Sequence, residues 1–171
     1  GNKLQDGFGD LIMSLMNPVV ELISAGKAIL IDAVDGSEII PNAKDEFSYI
    51  DGDFKNYGAD EPGLATKETP IAVYEMVQDA TFAQMFGSLS NDLNKLCLTQ
   101  AQIKNFVRKY RNWLRTDGYG TFFLFKSKNN FFVAYVYVIS DGTLKVCVGR
   151  LECSDVWYAG GGRRFVVPQL A

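Results

Sequence analysis

One stretch of the sequence, residues 131–139, constrains the fold more than any other. It is apolar on both parities: one set of alternate positions is Phe131, Val133, Tyr135, Tyr137 and Ile139, and the other is Phe132, Ala134, Val136 and Val138. A strand that is apolar on both sides lies inside a sheet with cover on both faces. The rest of the chain therefore has to supply two layers around this strand.

Similar runs of β-branched and aromatic residues precede and follow it, at residues 121–126 and 143–151. The Asp141-Gly142 pair before the last of these runs predicts a tight hairpin, since Asp-Gly adopts the positive φ angles that such turns need. A final strand is predicted at residues 165–167, before Pro168. We therefore expect an antiparallel meander of three to four strands.

Helical spacing of apolar residues predicts helices at residues 8–25, 70–87, 89–96 and 99–115. The last is the clearest, because Thr99 and Gln102 match a capping box at its start. A short strand is predicted near residues 28–31, and residues 41–70 read as a long loop.

These elements predict an α+β fold, with helices packed on an antiparallel meander of three to four strands. We expect residues 1–171 to form a single domain. In it, an acidic helix-strand-loop segment at residues 1–70 packs on a helical and β-meander core at residues 71–171.

Charge is divided unevenly along the chain. Residues 1–92 contain 5 Lys and Arg against 16 Asp and Glu, whereas residues 93–171 contain 12 against 4. Such a division indicates either an anionic partner for the basic half or two halves that complement each other within one fold.

The chain contains no histidine, which removes whole classes of mechanism. Ser-His-Asp and Cys-His nucleophiles and His-based zinc sites cannot be built. The three cysteines, Cys97, Cys147 and Cys153, form no C-x-x-C pair and indicate reduced thiols, with a Cys147–Cys153 bridge left open. The sequence predicts no cofactor.

Two basic groups are the candidate binding residues. Four side chains fall on one side of the helix predicted at residues 99–115: Lys104, Arg108, Arg111 and Arg115. The other two, Arg163 and Arg164, follow three glycines that would let a backbone approach a phosphate closely. An anionic partner, either nucleic acid or an acidic protein surface, would offset this charge. Acids from residues 41–70 would do so equally well, and the pattern at residues 160–164 favours a flexible hairpin loop with solvated arginines over a phosphate site.

Carboxylates in the loop at residues 41–70 weakly indicate a different kind of site, one that binds a metal ion. Asp51 and Asp53 lie in the run Asp-Gly-Asp-Phe-Lys, which partly matches both a calcium loop and a metal-dependent nuclease pattern. Lys55 stands where a calcium ligand is required, so a solvated acidic loop is the alternative.

Aromatic side chains of the predicted strands and of the segment after them could stack bases on an open sheet face, as single-strand binders do. The residues concerned are Phe123, Phe125, Tyr135, Tyr137, Trp157 and Tyr158. This function requires the face to be bare, whereas core packing would bury the rings.

Several segments of the C-terminal half carry a resemblance: LCLTQ at 96–100, WLRTDGY at 113–119, FFLFK at 122–126 and RFVVPQL at 164–170. Over roughly residues 82–171, the chain is similar to small uncharacterised bacterial proteins. The resemblance implies a soluble bacterial module and brings no activity or site residues with it.

The sequence thus predicts a non-enzymatic binding or interaction module that engages an anionic partner through its basic helix. Two alternatives stay open: a metal-dependent hydrolase or nuclease using carboxylates of residues 41–61, and a structural domain that pairs its charges internally and contacts a protein partner. The apolar stretch at residues 11–34 is too interrupted for a transmembrane segment. A cytoplasmic location is favoured, with a removed N-terminal signal or anchor left open.

Overall fold

A mixed sheet of eight strands runs through residues 18–170, the part of the chain that the computed structural model describes. The strands are β1 (Val20–Leu22), β2 (Leu30–Ile31), β3 (Tyr49–Ile50), β4 (Thr69–Met76), β5 (Thr121–Ser127), β6 (Asn130–Val138), β7 (Leu144–Arg150) and β8 (Arg164–Pro168). Their order is β1-β4-β8-β5-β6-β7-β3, and β2 pairs with the other end of β4 from β1. The β5–β8 and β3–β7 pairs are parallel, and the other pairs are antiparallel.

The predicted meander exists at the centre of this sheet. Lys128 and Asn129 both have positive φ, 49° and 64°, as a two-residue turn between β5 and β6 requires. In the β6–β7 hairpin, Gly142 has φ 85° and the Asp141 carboxylate accepts from the Thr143 amide. The strands predicted at residues 121–126, 131–139, 143–151 and 165–167 are confirmed to within a few residues.

The expected fold class, helices packed on an antiparallel meander of three to four strands, is wrong, because the sheet has eight strands and is mixed. The main error is at residues 70–87, where the predicted helix is β4 followed by a separate short helix. β4 contains successive buried residues Ile71, Ala72 and Val73, and it pairs with β8 along one edge. β8 in turn separates β4 from β5 and so carries the sheet beyond the meander.

Within residues 18–170, three α-helices accompany the sheet: α1 (Asp53–Asn56), α2 (Phe82–Gly87) and α3 (Gln100–Lys109). The capping box that opens α3 is confirmed, with the Thr99 hydroxyl accepting from the Gln102 amide. α3 ends earlier than predicted, and Arg111–Trp113 form a 3₁₀ turn instead. Leu93–Leu96, Ile40–Asn42 and Ala159–Gly161 are also 3₁₀ turns. Of the helix predicted at residues 8–25, residues 8–17 lie outside the described residues, and part of the remainder is β1.

Both faces of the sheet are covered. Residues 131–139 predict this, because they are apolar at odd and even positions alike. Phe123 and Phe125 of β5 face one buried cluster, which α3 and residues 29–59 complete. Phe122 and Leu124 face the opposite cluster, which α2 and Leu96 complete. We call the second face the α2 face. The elements that cover this face leave one end of β6 and β7 open. The candidate site lies in this opening.

Candidate functional site

The basic side of α3 is the first site that the sequence proposes, and residues 38–46 cover much of it. Lys104 forms ion pairs with Glu38 and, at 3.2 Å, with Asp45. Arg108 pairs with Asp45 at 3.0 Å and with Glu46 at 3.2 Å. The charge of these two basic residues is therefore offset by acids of the same chain.

These ion pairs rest on a hydrophobic attachment. Ile40, Ala43 and Phe47 of the acidic segment are each 3% exposed or less, in the same cluster as Ile103 of α3. Burial would lower the pKa of Lys104, but its hydrogen bonds with Glu38 and Asp45 hold the pKa above its ordinary value. The buried neighbours keep these acids next to α3, so a polyanion in solution has to compete with carboxylates of the same chain.

The remaining candidates on this side are separated from one another. Arg111 is exposed and has no carboxylate partner in residues 18–170. The Arg115 Nε donates to the carbonyl of Gly161 at 2.8 Å. Arg164 pairs with Glu75 at 3.5 Å and donates to the carbonyl of Trp113 at 3.1 Å. Arg115 and Arg164 thus hold neighbouring loops together.

Arg163 differs from Arg164 in its surroundings. Its guanidinium carbon lies 5.2 Å from the ring centroid of Trp157 and 5.3 Å from that of Tyr119, and it donates to the carbonyl of Tyr158. No described carboxylate forms an ion pair with it. The glycines before it form a 3₁₀ turn and then a left-handed residue, Gly162, with φ 59°.

The candidate metal residues Asp51 and Asp53 are occupied by backbone and side-chain contacts. Asp51 accepts from the amides of Asp53, at 2.9 Å, and Val148, at 3.3 Å. Asp53 accepts from the Asn56 side chain at 3.0 Å. Within the described part of the chain, no group of three or more Cys, Asp and Glu side chains is arranged to hold a metal ion.

A cleft of about 840 Å³ lies at the gap in the cover of the α2 face. We call it the tyrosine cleft, and its lining includes Tyr135 and Tyr137 of β6, Lys145 and Cys147 of β7, and the turn residue Asp117. The β6–β7 register sets Tyr135 opposite Cys147 and Tyr137 opposite Lys145. The cleft volume is in the range of small-molecule sites.

Aromatic packing fixes one wall of the tyrosine cleft. The Tyr135 ring lies within about 6 Å of Phe82, Phe122 and Trp157, measured between ring centroids. The Tyr137 ring is perpendicular to that of Tyr135, at 5.8 Å. Among the described residues, neither phenol has a hydrogen-bond partner.

Burial sets the protonation of these groups. It raises the pKa of both phenols, and the Arg163 guanidinium opposes this increase at Tyr137. Burial also raises the pKa of the Cys147 thiol. All three groups are therefore neutral at pH 7, and Cys147 is not an activated nucleophile.

Lys145 carries the positive charge of the tyrosine cleft. Its ammonium lies 5.0 Å from the ring centroid of Tyr49, which is 51% exposed. No ion pair joins Lys145 to a carboxylate of residues 18–170. The cleft therefore combines aromatic surface, phenol hydroxyls and one cation, with Asp117 at its rim.

A second, smaller cleft of about 410 Å³ adjoins it and shares Tyr135. Its lining is acidic, because the described residues contribute four carboxylates and one cation, Arg150, to it. The carboxylates belong to Asp51, Asp53, Glu152 and Asp155. The open part of the α2 face thus has one cation and one carboxylate, Lys145 and Asp117, in the tyrosine cleft, and an excess of carboxylates in the adjoining cleft.

Sequence reasoning found part of the tyrosine cleft and missed the rest. It named Tyr135, Tyr137 and Trp157 as stacking candidates, but Phe123 and Phe125 lie buried on the opposite face. It missed Lys145 and Cys147. Both residues could have been found from the Asp141-Gly142 hairpin if its register were known, because that register places Lys145 and Cys147 opposite the two tyrosines.

No family model, curated protein or solved structure matches the chain. No helix within residues 18–170 is long and apolar enough to cross a membrane.

Proposed function

We propose that this protein is a non-enzymatic binding module that takes a small anionic ligand into the tyrosine cleft. The observation that carries the proposal is Lys145, a cation on the cleft wall without a carboxylate partner among residues 18–170. A cation beside a partly apolar cleft attracts an anion more strongly than one in open solvent, because the effective dielectric constant is lower there.

The anionic partner expected from the sequence is thus assigned to the α2 face instead of α3. On α3, Lys104 and Arg108 already have acidic partners. A ligand there would have to compete with carboxylates that already form ion pairs, whereas the Lys145 ammonium contacts an aromatic ring and pairs with no carboxylate of residues 18–170, although Asp117 also lines the cleft. Burial raises the pKa of the Cys147 thiol, so the cleft offers no thiolate nucleophile from this residue at pH 7.

Thermal shift at constant ionic strength tests this function. Acetate, inorganic phosphate and benzoate are added in turn at millimolar concentration, since a ligand that binds only the folded state raises Tm. We expect at least one of these anions to raise Tm in the wild type and to lose most of that effect in Lys145→Gln. Lys67→Gln is the matched control, because Lys67 is exposed and lies outside the cleft. If no anion gives a shift that depends on Lys145, the proposal fails.

A second candidate is a structural protein-interaction domain whose charges are paired internally. The ion pairs that join α3 to residues 38–46 favour it. It predicts that all three anions shift the Tm of wild type and Lys145→Gln equally. The same thermal-shift experiment therefore separates the two candidates.

A further inference from the structure

The aromatic side chains of the tyrosine cleft indicate more about the ligand than that it is an anion. We infer that the bound anion carries a planar aromatic ring, which stacks on Tyr137 while the anionic group contacts Lys145. This inference rests on the proposed function, because it concerns the same cleft.

The two tyrosines have different surroundings, and only one is available for stacking. Tyr135 is enclosed by Phe82, Phe122 and Trp157. The one described ring within stacking range of Tyr137 is Tyr135 itself. Beside Tyr137 lies Gly120, where an added Cβ would come within 3.4 Å of the ring, so the glycine lets the ring lie close to the backbone. Tyr137 is thus supported on the protein side and lines the cleft on the other.

The register of β6 and β7 places the Tyr137 and Lys145 side chains next to each other. Tyr137 and Lys145 are directly opposite on β6 and β7, and such cross-strand pairs have Cβ atoms about 5 Å apart. The Lys145 ammonium lies over Tyr49 of β3, on the other side of β7 from Tyr137. Both Tyr137 and Lys145 line the cleft, and the flexible lysine side chain has to turn towards β6 to meet an anionic substituent on a ring stacked on Tyr137. The perpendicular Tyr135 ring closes one side of this position and favours a flat ligand.

The adjoining cleft limits the length of the ligand. Its four carboxylates lie beyond Tyr135, on the side away from Lys145. A polyanion that extended across Tyr135 would meet like charge, which lowers its affinity. The observations therefore favour one aromatic ring system with a single anionic group over a nucleic-acid strand.

Aromatic carboxylates and nucleoside monophosphates share this chemistry, and matched probes distinguish them. Benzoate is compared with acetate, and adenosine 5′-monophosphate with ribose 5-phosphate, so that each pair differs only by the ring. Adenosine supplies the ring without the anion. Calorimetry or NMR titration of the wild-type protein gives Kd for each probe.

We expect the ring to tighten binding by about tenfold in at least one pair, as stacking of a ring on an aromatic side chain does elsewhere. Tyr137→Leu should remove this preference, and Tyr137→Phe should retain it. Lys145→Gln should weaken both members of the pair. Tyr158→Leu is the control, because Tyr158 is 68% exposed and lies outside the cleft. The Tm of each variant without ligand shows whether it is folded.

Each failure has its own signature. If acetate and benzoate bind equally, as do the two phosphates, while both depend on Lys145, the aromatic inference is overturned and the proposed function stands. If adenosine binds as tightly as its monophosphate and Lys145→Gln has no effect, the proposed function is overturned. A ten-nucleotide single-stranded DNA that binds through Tyr137 more tightly than the monophosphate overturns the restriction to a small ligand.

Discussion

At the scale of single residues, Gly161 shows how closely the loop before β8 packs. A Cβ at this position would overlap the Tyr119 ring, whereas a Cβ at the preceding residue, Gly160, would meet no atom within 4 Å. The Tyr119 ring cannot swing away easily, since the guanidinium groups of Arg115 and Arg163 lie 5.7 and 5.3 Å from its centroid. Two neighbouring glycines therefore have different roles.

We expect Gly161→Ala to lower the free energy of unfolding by about 1–3 kcal/mol, the usual effect of overpacking. Gly160→Ala should change it by less than about 0.5 kcal/mol, as an exposed substitution does. Urea denaturation of both variants measures the difference. Equal stabilities would show that the Tyr119 ring is not confined.

Single residues also show which parts of the site a sequence can reveal. The Thr99 and Gln102 capping box is local, within four residues, and was predicted correctly. Lys145 was not predicted, because the Asp141-Gly142 hairpin indicates a turn but does not by itself fix which residues of the two strands lie opposite each other. Its role depends on Tyr137 in the adjacent strand and Tyr49 in another segment.

At the scale of elements, the attachment of residues 38–46 to α3 depends on pH. The hydrogen bond from Lys104 lowers the pKa of Asp45 below 3.8, its ordinary value, although burial opposes this effect. A carboxyl whose pKa is lower in the folded state stabilises the fold above its unfolded pKa. That contribution is lost as the pH falls through the folded pKa.

We expect the free energy of unfolding to decrease as the pH is lowered below 3.8, and to decrease less steeply in Asp45→Asn. Some slope should remain, because the pKa values of Asp32 and Asp35 are lowered too. Asp155→Asn is the control, since Asp155 is exposed and forms no described ion pair. Urea denaturation between pH 2.5 and 6 measures the slopes. The same slope in Asp45→Asn and the wild type would contradict this account.

β4 is the element that sequence reasoning assigned wrongly, and the reason is physical. Ile71, Val73, Tyr74 and Val77 fit helical spacing, but a strand buried on both faces carries no alternation that would separate the two structures. Its partners, β1, β2 and β8, lie far from it in the sequence. Tertiary pairing thus decided a local ambiguity.

At the scale of the whole molecule, the sheet is buried on both faces near its centre. Phe122 and Phe123 are adjacent in β5, and both are fully buried, in opposite clusters. A sheet with one solvated face would bury only one of them.

We expect Phe122→Ala and Phe123→Ala each to lower the free energy of unfolding by about 3–5 kcal/mol. Tyr158→Ala, at a site that is 68% exposed, should have a far smaller effect. Denaturant unfolding of the three variants tests this. A small effect at either phenylalanine would contradict the two-layer fold.

The sequence predicted two layers around the central strand, the central hairpins and the last strand. These features can be read locally, because they depend on which positions of a strand are apolar and on which residues form the turns. It did not predict how far the sheet extends. The parallel contact of β5 with β8 joins residues about 40 positions apart, and neither strand carries a local mark of its neighbour. The tyrosine cleft depends on the same kind of information, namely where the cover of the α2 face stops.

The most direct test of anion binding in the tyrosine cleft is to locate a bound anion on the molecule. A two-dimensional ¹H–¹⁵N NMR titration with benzoate reports which backbone amides sense the ligand. We expect saturable shifts at Tyr137, Lys145 and Cys147 and in the turn at residues 116–118, all lost in Lys145→Gln. Shifts centred on Lys104, Arg108 and Arg111 of the α3 side, and retained in that variant, would contradict it.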